Sequence, residues 1–208
     1  MQRLQQRRDA RGVYNTLFAI DSGAGIAAAY DKVRLAPFGE YMPFNDFFSR
    51  FGISGLADVI GGGMQKGTET GPIALNGLPP FLPLICYEAI FPQAASTQPR
   101  PAWLLQITND AWFGTFSGPY QHLAQARLRA IEQGLPLARA ANTGVSAMID
   151  ARGHIRARTN LGEVAALDVR LPGALPPTLY SRTGDWPVAL VLSLLAAFFA
   201  IRRPRAKA

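Results

Sequence analysis

Seven short apolar runs, each closed by turn-forming residues, restrict the architectures open to this chain. They span 13–20, 26–30, 81–86, 103–108, 137–141, 145–149 and 164–169. Runs this short match strands rather than helices, and several are too continuously apolar to keep one face in water. Strands buried on both faces need helices over them, so the pattern predicts an α/β layered domain. One segment reads as such a helix: 121–133 places Leu128 and Ile131 on one side with Arg127 and Glu132 elsewhere, and Gly134 and Pro136 stop it. A chain of 208 residues holds one domain with a sizeable core and an appendage.

The appendage is visible in the charge pattern. Arg3, Arg7, Arg8 and Arg11 against Asp9, together with Arg202, Arg203, Arg205 and Lys207, account for the whole formal net charge of +7. The neutral middle shows no Lys/Arg stripe interleaved with aromatics, which argues against a nucleic-acid partner. Between Asp185 and Arg202 the chain is uncharged, with Ser193 its one polar residue. At about 1.5 Å per residue the run 186–201 reaches roughly 24 Å, with Trp186 suited to one membrane interface and Arg202 to the other. It is expected to span a bilayer; a buried core helix is the competing reading. The basic tail 202–208 then stays in the cytoplasm and the globular part lies on the far side. Residues 1–10 have no apolar stretch of a signal peptide, which leads to the expectation that further segments precede this chain.

Cys86 is the single cysteine, at the end of the run Phe81-Leu82-Pro83-Leu84-Ile85 and followed by Tyr87 and Glu88. It has no partner for an internal disulfide, and its place suits a nucleophile as well as it suits a small buried hydrophobe. The stretch 45–71 is long for a loop, Gly-rich at 61–63, yet carries Phe47, Phe48, Phe51, Ile53 and Leu56, too apolar a set for disorder. His122 and His154 have no Cys or carboxylate at metal-ligand spacing, and neither reads as a ligand.

Four segments, in order, carry a resemblance. They are Tyr30-Asp31-Lys32-Val33-Arg34-Leu35-Ala36-Pro37-Phe38-Gly39-Glu40-Tyr41-Met42-Pro43, Ile85-Cys86-Tyr87-Glu88, Thr108-Asn109-Asp110-Ala111-Trp112-Phe113-Gly114 and Arg182-Thr183-Gly184-Asp185-Trp186-Pro187. Together they resemble the apolipoprotein N-acyltransferases, the membrane-embedded branch of the nitrilase (carbon–nitrogen hydrolase) superfamily. The resemblance implies a nitrilase-like αββα sandwich over 1–180, N-terminally truncated, then one transmembrane helix over 186–201 and a basic tail over 202–208.

It also implies roles. Cys86 is expected as the nucleophile and Lys32 as the cation beside the developing oxyanion, assisted by the Tyr87 backbone N–H. Glu40 and Glu88 match further carboxylate positions of the family, with an ion pair that merely fixes the lysine as the alternative. The family's general-base Glu precedes the lysine segment, and no Glu precedes Lys32 here; Asp31 points to the opposite strand face. This too reads the chain as a C-terminal fragment. Tyr87, Trp112 and Phe113 are expected to line an acyl-chain groove, with core packing the rival account for Phe113. Asn109 and Asp110 are expected to cap the loop, with Asn109 at the substrate, and Asn142-Thr143-Gly144 to make a turn near the site.

The implied reaction moves an acyl chain from a membrane phospholipid through a Cys86 thioester to the N-terminal diacylglyceryl-cysteine of an apolipoprotein. No cofactor or metal is implied. The implied partners are the phospholipid donor, the apolipoprotein acceptor and the bilayer, with the enzyme a monomer at the bacterial inner membrane and its catalytic domain extracytoplasmic. Two rivals are a soluble-type nitrilase or amidase and an inactive membrane-anchored fragment.

Overall fold

A computed structural model describes residues 5–9, 12–44 and 63–202, without side chains for 5–9, and two sheets and one helix layer organise these described residues. The Phe-rich stretch 45–62 and the tail 203–208 lie outside the described residues. An antiparallel three-stranded sheet has the order β1 (Gln5–Asp9), β2 (Gly12–Ile20), β3 (Ile26–Asp31). A six-stranded sheet has the order β4 (Ile73–Leu75), β5 (Leu78–Ile85), β6 (Trp103–Asn109), β7 (Leu137–Asn142), β8 (Ala147–Ile149), β9 (Ile155–Arg158). Its centre, β5-β6-β7, is parallel, and both edges are antiparallel.

Side-chain alternation sorts the central strands into two cores. Leu82, Leu104 and Leu137 face helix α1 (Gly118–Gln133) and pack with Leu123, Ala126 and Ala130. Ile85 and Ile107 point the other way and meet Leu17 and Tyr30 of the smaller sheet. Strands covered on both sides explain the unbroken apolar runs. Gly134, at φ 62°, supplies the left-handed residue that ends α1, as its place in the sequence suggests.

Three expectations need correction. Residues 164–169 form no strand: the segment runs irregularly over the surface and Val164 is fully exposed, so its apolar residues have no sheet to join. In α1 the inward face is His122, Leu123, Ala126, Arg129, Ala130 and Gln133, whereas Leu128 and Ile131 are exposed. Buried polar side chains with partners, such as Arg129 on the Ile90 carbonyl at 3.0 Å, turn the helix away from its most apolar side. The apolar run 81–86 also stops short as a strand: β5 ends at Ile85, because Cys86–Ile90 forms a 3-10 turn.

A short helix α2 (Leu179–Thr183) leads into α3 (Trp186–Arg202), which buries none of its residues. Among the described residues, no helix is long and apolar enough to cross a membrane.

Candidate active site

The chain reverses at the end of β5, and that reversal sets the site. Cys86 has φ 49°, a left-handed conformation that costs a non-glycine residue about 1–3 kcal/mol and persists only where the surroundings impose it. Its thiol is free and partly exposed. Cys86 lines a cavity of about 640 Å³ together with Lys32, Glu40, Tyr87, Asn109, Trp112 and Phe113, which are seven of the eight residues expected at the nucleophile or the substrate.

Lys32 follows β3 directly, and its N–H donates to the Asn15 carbonyl at 2.9 Å, extending the pairing with β2. Its side chain is 1% exposed, and Nζ donates to both oxygens of Glu40, at 2.8 and 2.7 Å. Glu40 also accepts from Asn15 Nδ2 at 2.8 Å and from the Ala36 N–H at 2.7 Å. A buried ammonium needs such a partner, since desolvation otherwise makes its charge costly. Asp31 lies on the other face of the strand, where it accepts from Thr16 Oγ1 at 2.6 Å.

Glu88, the eighth residue, stands behind the cavity wall. Oε1 accepts from Tyr30 Oη at 2.9 Å and from the Val33 and Arg34 N–H groups at 2.8 and 3.0 Å. Oε2 accepts from the Ile85 N–H at 2.8 Å. Glu88 thus ties the lysine segment to the nucleophile turn, and Glu40 is the carboxylate on Lys32. Burial pushes the Glu88 carboxyl up despite these four donors, and burial beside Glu88 pushes the Tyr30 phenol up as well.

The rim is aromatic. Trp112 is 69% exposed and Phe116, in the same loop, 89% exposed. Asn109 ends β6 and accepts from the Ala111 N–H at 3.2 Å and from Asn142 Nδ2 at 3.3 Å, joining the ends of β6 and β7.

A second set of polar side chains, on the α1 side of the sheet, went unrecognised in the sequence. Gln106 and Arg139 are register partners on β6 and β7, and Arg139 NH1 donates to Gln106 Oε1 at 2.5 Å. Arg139 NH2 donates to Asp110 Oδ2 at 2.5 Å, and Asp110 Oδ1 contacts His122 Nδ1 at 3.0 Å. All four side chains are buried. Burial raises the Asp110 carboxyl, but the His122 hydrogen bond and the Arg139 charge outweigh it and hold the group below its usual range. Burial lowers the Arg139 guanidinium, against the opposing pull of Asp110. The available signal was spacing: His122 shares a helical face with Ala126 and Ala130.

Comparison with known proteins follows the same outline. The family model described as carbon-nitrogen hydrolase matches residues 3–173. The chain is 50% identical over 195 residues to an apolipoprotein N-acyltransferase of Bradyrhizobium diazoefficiens, covering 93% of this chain and 36% of that protein. It is 49% identical over 191 residues to an apolipoprotein N-acyltransferase of Rhodopseudomonas palustris, covering 91% of this chain and 35% of that protein. The chain therefore spans about a third of the length of the curated relatives it matches. Among solved structures, a CN-hydrolase superfamily protein of Xanthomonas campestris superposes with a TM-score of 0.53 at 22% identity, covering 74% of this chain and 56% of that one. This last likeness concerns the fold.

Proposed function

The chain belongs to the carbon-nitrogen hydrolase family, and we propose that it carries the acyl-transfer centre of a lipoprotein N-acyltransferase. The observation that carries this reading is the convergence of the left-handed Cys86 and the Lys32–Glu40 pair on one cavity with an aromatic rim. The names of the relatives that match nine-tenths of the chain support it.

In the proposed reaction the Cys86 sulfur attacks the ester carbonyl of a phospholipid. The ester C–O bond breaks, the lysophospholipid leaves as an alcohol carrying the thiol proton, and the acyl chain stays on sulfur as a thioester. The α-amino group of a diacylglyceryl-cysteine then attacks the thioester. The C–S bond breaks, an amide forms, and the amine proton returns to sulfur. Lys32 stands where charge develops on the carbonyl oxygen in both halves, with the Tyr87 N–H as second donor, and Glu40 orients the ammonium. Glu88 acts from behind by holding the turn.

Both substrates are lipids, and two features suit a bilayer surface. Trp112, Phe113 and Phe116 present exposed rings beside the cavity. Helix α3 is apolar all round and buries nothing against the domain, a pattern that is stable in a protein core or in lipid. We assign residues 1–180 to the catalytic domain, 186–201 to a transmembrane helix whose apolar length falls short of a crossing by itself and is completed by Trp186 and Arg202 reaching the two interfaces, and 202–208 to a cytoplasmic tail. The catalytic side then faces outward from the inner membrane.

The test uses the protein as the cell produces it, mixed with phosphatidylethanolamine vesicles and read by mass spectrometry. A hydroxylamine-labile acyl adduct on Cys86, absent from Cys86→Ser and discharged by a synthetic diacylglyceryl-cysteinyl peptide, is expected. Folded wild-type protein that stays unacylated refutes the reading.

A further inference from the structure

A non-glycine residue in a left-handed conformation needs an external hold, and the polar set on the α1 side of the sheet provides one for Cys86. Its carbonyl oxygen accepts from Gln106 Nε2 at 3.3 Å and lies 3.1 Å from His122 Nε2. The two nitrogens are 3.0 Å apart, so they converge on the same oxygen. Each is anchored from behind: Gln106 through its Oε1 on Arg139, and His122 through its Nδ1 on Asp110. Arg139 joins the two arms by donating to both Gln106 Oε1 and Asp110 Oδ2, while its Nε donates to the Val145 carbonyl at 3.1 Å. Thr108 Oγ1 adds a bond to Asp110 at 3.0 Å.

We propose that Gln106, His122, Asp110 and Arg139 form a buried positioning network that grips the Cys86 carbonyl and thereby holds the nucleophile's backbone in its left-handed turn. The inference rests on reading Cys86 as the nucleophile. None of the four residues lines the cavity, so they are positioning residues rather than catalytic ones. Their effect passes through one peptide unit. The carbonyl that the network grips and the Tyr87 N–H belong to the same peptide plane, so fixing the oxygen aims the N–H as an oxyanion donor. The Cys86 backbone turn sets the direction of the thiol.

Parallel register makes this economical. Gln106 and Arg139 are level on adjacent strands, and both face α1, one of whose buried positions is His122. An apolar residue at 106 would leave the Cys86 carbonyl without its donor. A buried polar group surrounded by partners and set into an apolar face is a specifying feature, since any missing member exposes the rest to desolvation.

The experiment separates orientation from folding. Two variants in the protein as the cell produces it are compared with wild type: Gln106→Glu, which sets a carboxylate oxygen against the Cys86 carbonyl, and His122→Asn, which keeps a donor for Asp110 but withdraws the group near that carbonyl. Acylation is followed with p-nitrophenyl butyrate and simple alkylation with iodoacetamide. Thiol alkylation needs no oxyanion donor, so it is expected within about twofold of wild type, while the acylation rate constant falls about 10–100-fold at unchanged KM. A loss confined to KM, or parallel losses in both reactions that follow the unfolded fraction, overturns the inference, as does unchanged acylation. Should wild type itself take no acyl group, the acyl-enzyme reading falls, and a crystal structure of Gln106→Glu decides the positioning question alone. Movement of the Cys86 carbonyl by about 1 Å or more sustains it, and an unmoved carbonyl refutes it.

Discussion

Replacing Glu40 by Gln tests the centre of the site through stability rather than turnover. Glu40 receives four donated bonds: two from Lys32 Nζ, one from Asn15 and one from the Ala36 N–H. An amide offers one acceptor oxygen where the carboxylate offers two, so its NH₂ group must face a donor. The larger loss is electrostatic, because the ammonium of Lys32, 1% exposed, loses the carboxylate paired with it. Removing one member of a buried pair costs about 3–5 kcal/mol, and the cavity opening at Glu40 favours the lower end, about 3 kcal/mol. For a chain of this size that lowers the melting temperature by about 6–12 °C. The assay is thermal unfolding of the detergent-solubilised protein at neutral pH, completed as a double-mutant cycle with Lys32→Met. With both charges gone no unpaired ion remains, so the double variant is expected to melt above Glu40→Gln alone, with a coupling energy of about 2 kcal/mol or more. Additivity to within about 0.5 kcal/mol would refute the claim that the pair is interdependent.

Further consequences follow from the same geometry. Glu88→Gln sets an NH₂ group against the Ile85 N–H or against the three donors on Oε1, and should cost about 1–3 kcal/mol in thermal unfolding; a loss under about 0.5 kcal/mol would show the carboxylate to be replaceable there. Gly144→Ala would bring a Cβ within 2.7 Å of the Asp110 Cβ and closer still to its carboxylate, so the anchor of His122 must shift; a fall of about tenfold in acylation with folding retained is expected, and an unchanged rate counts against it. Two pH windows should separate. Asp110, held below its ordinary value of 3.8, contributes stability that is present above that pH and lost as pH falls through its lowered value. Glu88, pushed above its ordinary 4.5, contributes stability present below that pH and lost as pH rises through its raised value. Melting temperatures should therefore fall on the acid side below 3.8 in both wild type and Glu88→Gln, and decline above 4.5 more in wild type than in the variant, where Glu132, also pushed up by burial, still titrates.

Strands were legible wherever burial on both faces left an apolar run, unbroken in β5 and interrupted only by Gln106 before Thr108 in β6. The segment 164–169 has the same composition without a neighbouring strand, and composition carries no record of pairing. The lysine segment and the residues around Cys86 were legible as one site because contiguous motifs carry the family resemblance, and the fold brings them to one cavity. The place of Glu88 behind the cavity wall was not legible, because the chain turns at Cys86 and nothing local in Ile85-Cys86-Tyr87 announces a positive φ at a non-glycine. The Gln106–His122–Asp110–Arg139 set was hidden for another reason. Its members are 16, 12 and 29 residues apart in successive contacts, and only the parallel register of β6 and β7 with α1 laid across them brings them together.

The position of the candidate site follows from the layering. In a parallel sheet the loops after the strands gather at one end, and here Cys86 follows β5, Asn109 and Asp110 close β6, and Asn142 to Gly144 close β7. Central strands are covered on both faces, so a residue at such an end touches two cores at once. Cys86 uses both. On the sheet–sheet side the smaller sheet delivers Lys32 and Glu40 to its cavity, and Glu88 ties that segment to the turn. On the helix side α1 and the register pair of β6 and β7 reach its carbonyl. A nucleophile at a solvent-exposed loop would be held from one side and would relax out of an unfavourable backbone conformation. At the junction of two cores, relaxing the backbone of Cys86 would break hydrogen bonds in both, which is why the turn survives without a glycine.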